Sequence, residues 1–207
     1  MNERIKLLGK KVNEFLIDKF ELTLRESTRH STVFAKEYFK NKEIIAIEIG
    51  SYKGFNAKSI LRNLNVKKIY LIDPWEEYEE YKNSEKNKNQ KHLSLALKKC
   101  KKRLRKFSKK IEYIKNFSER VVNIVPEADF IYIDGNHEYP YVKRDIENYY
   151  KKLRDGGIIA GHDINWRGDT PVMFAVREFC DNNRLRFRVS GEDWWIVKED
   201  KLSEYKK

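Results

Sequence analysis

The chain has 207 residues, 40% hydrophobic and 13% aromatic, which suits one domain with a full core rather than two large ones. Lysine and arginine (44) outnumber aspartate and glutamate (32), for a net charge of +12. Recurring apolar stretches exclude a disordered polyelectrolyte, and the charge points to nucleic acid, an anionic surface, an anionic substrate or a lysine-rich solvated surface.

Residues 1–20 place Ile5, Leu8, Val12, Phe15, Leu16 and Phe20 at helical spacing with charges scattered between them, which predicts an amphipathic helix and not a signal peptide. A second short helix is expected over 31–39, so that 1–40 reads as a helical cover on a domain spanning 41–207. Residues 43–50 (EIIAIEIG) are a nearly continuous apolar run ending in glycine, as in a strand buried on both faces. A helix over 56–64 and a buried strand over 68–73 follow, and then a charged excursion over 76–91, a candidate lid.

In 92–107, Leu93, Leu97, Cys100, Leu104 and Phe107 recur every three or four residues. They form one core-facing stripe of a helix whose other faces are basic, so KKCKKRLRKFSKK reads as a solvated helix face. A strand over 111–114, a short helix over 118–124 and a strand over 128–134 come next. Val142, Ile146, Tyr149, Tyr150 and Leu153 line one side of a further helix, which Lys151, Lys152, Arg154 and the pair Gly156-Gly157 are expected to close. Strand 158–162 leads to Thr170-Pro171, an N-cap pair for a helix through Cys180, and strands 185–189 and 194–198 are joined by a tight turn.

This βα alternation predicts an α/β fold of one mostly parallel sheet with helices on both faces, its last strand antiparallel because the final link is too short for a crossover. Cys100 and Cys180 make neither a disulfide framework nor a zinc knuckle and suit a reducing compartment, so a cytoplasmic location is expected. No stretch approaches the roughly 20 apolar residues that cross a bilayer, and no membrane partner is expected.

In open sheets of this kind ligands bind beyond the carboxyl ends of the strands. Those ends carry Gly50-Ser51-Tyr52-Lys53-Gly54, Asp73-Pro74-Trp75, Asp134-Gly135-Asn136-His137 and His162-Asp163. Gly50 and Gly54 suit a tight turn close to a ligand, and Asp73, 23 residues after Gly50, stands where a carboxylate reaches a ribose diol. The third glycine of the dinucleotide fingerprint is absent, which disfavours NAD. His137 is a candidate general base, since an ordinary imidazole titrates near neutrality.

The segment 48–54 (EIGSYKG) with Asp73-Pro74-Trp75 resembles the cofactor motifs of class I S-adenosylmethionine-dependent methyltransferases, whose Rossmann-like seven-stranded sheet also ends in an antiparallel strand. Residues 129–140 (DFIYIDGNHEYP) and 153–164 (LRDGGIIAGHDI) are similar to a small-molecule O-methyltransferase branch that includes macrolide-sugar methyltransferases and cephalosporin-hydroxylase-like proteins. The resemblance implies S-adenosylmethionine as cofactor, bordered by Glu48, Gly50, Ser51, Gly54 and Asp134, with Asp73 on the ribose and Trp75 and the segment from Asn116 to Ser118 near the adenine. It also implies a divalent cation, Mg2+ or another, on Asp134, His162 and Asp163, although relatives often carry an acid where His162 stands.

Catalysis would fall to His137 and Asp134, and the partner would be a small, hydroxyl-bearing, sugar-like acceptor. The Asn/Asp-Pro-Pro-aromatic tetrad of base-amino methyltransferases is missing after the fourth strand. RNA ribose and a non-catalytic cofactor-binding role remain the alternatives. Trp166 and Arg167 are candidates for the acceptor pocket.

Overall fold

A computed structural model describes residues 28–77, 89–165 and 170–201, with side chains of the last segment up to residue 198. The expected helix over 1–20, most of the proposed lid, and Trp166 and Arg167 lie outside the described residues. Helix α1 (His30–Phe39) precedes β1 (Ile44–Ile49), α2 (Phe55–Asn63), β2 (Val66–Asp73) and α3 (Gln90–Leu104). Then come β3 (Ile111–Lys115), α4 (Ser118–Val121), β4 (Ala128–Ile133), α5 (Tyr139–Tyr150), β5 (Leu153–Gly161), α6 (Pro171–Asn183), β6 (Leu185–Ser190) and β7 (Asp193–Lys201).

The strands form one seven-stranded sheet in the order β3-β2-β1-β4-β5-β7-β6. Pairs among β1 to β5 are parallel, while β7 inserts antiparallel between β5 and β6, as the short link at Gly191 requires. Alternate residues of the central strands face two separate cores. Ile44 and Ala46 join Ala57, Ile60, Cys100 and Leu104 under α1, α2 and α3. Ile47 and Ile49 join Val142, Ile146, Val172 and Val176 under α5 and α6. Both cysteines are free and buried. Among the described residues no helix is long and apolar enough to cross a membrane.

Local boundaries depart from the sequence pattern where a tertiary contact wins. The helix expected to run through Leu153 and close at Gly156-Gly157 stops at Tyr150, and β5 begins at Leu153. Leu153 pairs with Ala128, Arg154 Nη1 bonds the buried Asp129 Oδ2 at 3.0 Å, and the register shifts before Phe130 pairs with Ile158. The two glycines therefore make an irregularity inside a strand and do not stop a helix: a Cβ on Gly157 would lie 2.9 Å from the Asp129 carbonyl oxygen. Helix α3 starts at Gln90, where the Asn89 side chain accepts the His92 N–H, and after Leu104 it tightens into a 3-10 turn (Arg105–Lys110) that holds Phe107. The short helix α4 ends at Val121, leaving Ile124 74% exposed. The Thr170 cap behaves as expected, its hydroxyl accepting the Met173 N–H.

Candidate active site

The chain begins its sheet in the middle, builds outward to β3 and returns to β4 on the other side of β1, so the strand order reverses between β1 and β4. A crevice opens at such a reversal. Here it is a cavity of about 730 Å³ at the carboxyl ends of the parallel strands, within the roughly 300–1,000 Å³ of small-molecule sites.

The half beyond β1 and β2 is built by close backbone approach. Gly50 has φ +84, its N–H bonds the Ile72 carbonyl at 2.8 Å, and a Cβ there would lie 2.0 Å from the Asp134 carbonyl oxygen. Only glycine lets the two loops touch. Gly54, also left-handed at φ +72, serves packing: a Cβ would lie 2.7 Å from Cys100 Sγ, and the residue is not on the cavity wall. Asp73 is on the wall and ties two loops together, accepting the Tyr52 N–H at 2.8 Å and the Trp75 N–H at 2.7 Å.

Trp75 does not reach the cavity. It is 1% exposed within the core, with its indole N–H on the Tyr52 carbonyl, because the loop turns through φ 43 at this residue and tucks the ring under Tyr52.

Glu48 is the one charged residue in β1 and is 1% exposed. Its Oε1 accepts the Asn56 amide at 3.0 Å, while Oε2 has no hydrogen-bond partner. Burial raises its pKa to about 7; the Asp134 and Asp73 charges add to the rise, and Ser51 and Asn56 oppose it. Ser51 Oγ is likewise buried on the wall without a partner. Farther along, Asn116 and Ser118 line the wall as expected, but the Ser118 hydroxyl is engaged by Asp145 Oδ1 at 2.6 Å. Burial raises Asp145 to about 6.

The half beyond β4 and β5 gathers the other expected residues. His137 Nε2 lies 3.3 Å from Asp134 Oδ1 and Nδ1 lies 3.0 Å from Asp163 Oδ2. Desolvation works against a charged imidazole here, yet the hydrogen bonds and charges of Asp134 and Asp163 outweigh it and raise His137 to about 10. The expectation of an ordinary, near-neutral imidazole is therefore corrected: in this arrangement His137 holds a proton between two carboxylates. Burial pushes Asp163 up, but His137 and His162 overcome this and hold its carboxyl well below the usual range.

His162 Nδ1 lies 2.7 Å from Asp163 Oδ1, and its Nε2 accepts from Arg29 Nη1. Those contacts together place the ring proton on Nδ1 and direct the Nε2 lone pair at Arg29. The guanidinium also lies 3.9 Å from Asp134 Oδ2. Arg29 precedes α1, whose first turn is held by Asp193 at the start of β7: Asp193 Oδ2 accepts the Ser31 N–H and hydroxyl at 3.0 and 2.7 Å.

Ligand-capable atoms of Asp134, His162 and Asp163 lie within 4.8 Å of one another. Two carboxylates and an imidazole fit a divalent cation in number and spacing, with the nitrogen favouring manganese, iron or zinc over magnesium. Arg29 and His137 already contact these side chains, so a cation would bind in competition with them.

Sequence reasoning missed Arg29 and Asp145. Asp145 had a signal, a lone acid on the buried stripe of Val142, Ile146 and Tyr149. Arg29 had none, since only tertiary packing brings it in.

A family profile described as a methyltransferase domain matches residues 47–164, more than half of the chain. An uncharacterized protein of Acanthamoeba polyphaga mimivirus, R132, is 25% identical over 147 residues, covering 68% of this chain and 61% of that one, so the match spans less than two thirds of the relative. Among solved structures, a Staphylococcus aureus protein carrying the provisional name of a caffeoyl-CoA O-methyltransferase superposes with TM-score 0.61 at 12% identity, covering 95% of this chain and all (100%) of that one. The calicheamicin methyltransferase CalS11 gives 0.58 at 12% identity, over 82% and 78% of the two chains. An rRNA methylase from Streptococcus thermophilus gives 0.54 at 15% identity, over 84% and 98%. At these identities the structures establish the shared fold.

Proposed function

The chain belongs to the methyltransferase-domain family, and on that premise we propose that it is an S-adenosylmethionine-dependent methyltransferase that methylates a hydroxyl of a small, sugar-like acceptor, with a divalent cation as a second cofactor. The observation that carries this reading is the pairing of two half-sites across one cavity. An orphaned, fully buried carboxylate oxygen of Glu48 and the Asp73 carboxylate stand on one side, and the acid–imidazole cluster of Asp134, His137, His162 and Asp163 on the other.

Glu48 Oε2, buried beside Ser51 and without a full hydrogen bond of its own, is suited to a donor or cation from a ligand. The ammonium group of the cofactor's methionine part has that chemistry, so these residues and the Gly50 loop would hold that end, and Asp73 the ribose hydroxyls. When bound, S-adenosylmethionine supplies a methyl group on a sulfonium that needs no activation by the protein. What remains for the chain is to align an acceptor oxygen and take its proton.

His137, 44% exposed at the side chain, can act as the base only after losing the proton it holds between Asp134 and Asp163, and occupation of those carboxylates by another cation would favour that loss. Until a cation takes them up, Asp134 and Asp163, one on each ring nitrogen, fix the direction of the ring. Asp134, His162 and Asp163 would hold the divalent cation, which would lower the pKa of a bound acceptor hydroxyl.

The test is release of S-adenosylhomocysteine on incubation with S-adenosylmethionine and a panel of sugar and phenolic hydroxyl compounds, with RNA alongside. Turnover on a small hydroxyl compound that falls at least ~100-fold in His137→Gln and Asp134→Ala supports the reading. Turnover on RNA alone, or undiminished in both variants, contradicts it. Chelation by EDTA should stop turnover and manganese should restore it; indifference to EDTA removes the cation from the account.

A further inference from the structure

The net charge of +12 is not spread over the molecule. The stretch 90–110, formed by α3 and the 3-10 turn after it, holds 10 lysines and arginines and no aspartate or glutamate. Elsewhere several lysines stand against carboxylates: Lys42 with Asp129, Lys68 with Glu112, Lys115 with Glu76 and Lys143 with Glu178. On α3 and its turn, Lys98, Lys102, Lys106 and Lys109 are exposed and form no ion pair among the described residues. Their spacing of four, four and three puts them along one side.

The opposite side of the helix is spent. Ala96, Cys100 and Leu104 are buried in the core beneath α2 and α3, which fixes the basic side outward. The helix also borders the cavity mouth. Leu93 lines the cavity, the His92 ring stacks on Tyr52 and the Arg103 guanidinium covers the Phe55 ring, and both of these aromatic residues belong to the wall.

From this we infer that the outer face of α3 and its 3-10 turn is a docking surface for a nucleic-acid phosphate backbone. A row of like charges without neutralising acids among the described residues is the footprint of a polyanion partner, whose binding is driven by release of counterions. An anionic membrane is the poorer fit, because a surface helix must also insert an apolar face. Here that face is buried in the core, and Leu95, 50% exposed, is the exposed large hydrophobic residue of the stretch. The inference concerns binding and stands apart from the identity of the methyl acceptor.

The test uses the full chain and a fluorescein-labelled, mixed-sequence single-stranded RNA oligonucleotide, read by anisotropy over a salt series. If six of the basic residues meet phosphates, the slope of log affinity against log salt is about −4, a loss of roughly 300-fold between about 50 and 200 mM salt. The variant K98Q/K102Q/K106Q/K109Q should bind with a slope nearer about −1.4. The charge-keeping variant K98R/K102R/K106R/K109R should bind as the wild type does. A control that removes equal charge elsewhere, K36Q/K40Q/K151Q/R186Q, should keep most of the slope.

Binding of S-adenosylhomocysteine, measured on the same samples, checks that each variant is folded and reports separately on the methyltransferase reading. The inference is overturned if the wild type does not bind RNA, if the two glutamine variants lose affinity equally, or if vesicles containing phosphatidylserine are bound and RNA is not.

Discussion

Replacing Glu48 with glutamine should make the ligand-free protein more stable while weakening its cofactor complex. Glu48 is 1% exposed, with one oxygen on Asn56 and the other without a partner, and burial raises its pKa from 4.5 to about 7. Between those values the folded protein keeps a proton that the unfolded chain has released, so stability falls as pH rises through that window. Above pH 7 the whole penalty is in force, about 3 kcal/mol for a shift of this size.

Glutamine keeps the shape and removes the charge, but sets an amide N–H2 where the carboxylate accepted, returning about 1 kcal/mol of the gain. The net is about 2 kcal/mol at pH 8, or roughly 4–8 °C in Tm for a chain of this length. The advantage disappears as the pH is lowered toward 4.5, below which the wild-type carboxyl is protonated in both states. The same change would remove the charge-assisted contact proposed to the cofactor's ammonium group, so S-adenosylhomocysteine should bind roughly 10–150-fold more weakly, a loss of about 1.5–3 kcal/mol. Calorimetric melting at pH 5 and pH 8, with titration of S-adenosylhomocysteine, reads both arms. A variant less stable than wild type at pH 8, or one that binds the ligand equally well, would refute the reasoning.

Two further outcomes follow from the geometry. Gly50→Ala puts a Cβ 2.0 Å from the Asp134 carbonyl oxygen at a residue with φ +84, and strain and overlap together should cost about 2–5 kcal/mol; thermal melting should show a fall of roughly 5–15 °C, and an unchanged Tm would mean that the two loops do not touch. Arg29→Ala removes a cation from His162 Nε2 and the neighbourhood of Asp134, so Mn2+, followed by its paramagnetic resonance signal, should bind about fivefold more tightly; weaker binding would make Arg29 a support of the cation site instead of its competitor.

Much of this architecture was legible because hydrophobic periodicity sorts strands from helices. The run IIAIEI had to be a strand buried on both faces, and the stripe of α3 emerged through its lysines. The cavity residues were legible for a topological reason: polar side chains at the carboxyl ends of parallel strands meet at one edge whatever the details of packing. What the pattern could not give is set by tertiary contact. Leu153 continues the apolar spacing of α5, yet pairing with Ala128 draws it into β5. Trp75 follows Asp73 as a cofactor-side aromatic would, but its indole finds the Tyr52 carbonyl beneath the loop. Local residue types likewise suggest a neutral His137, and only the fold reveals that Asp134 and Asp163 approach both of its nitrogens.

The most direct test of the account is a side-by-side calorimetric titration of the full chain with S-adenosylhomocysteine and with NAD. Saturable one-to-one binding of S-adenosylhomocysteine, no heat with NAD, and loss of the signal in Asp73→Ala are the predicted results. No binding of S-adenosylhomocysteine, or binding that survives in Asp73→Ala and Glu48→Gln alike, would contradict the assignment of this cavity.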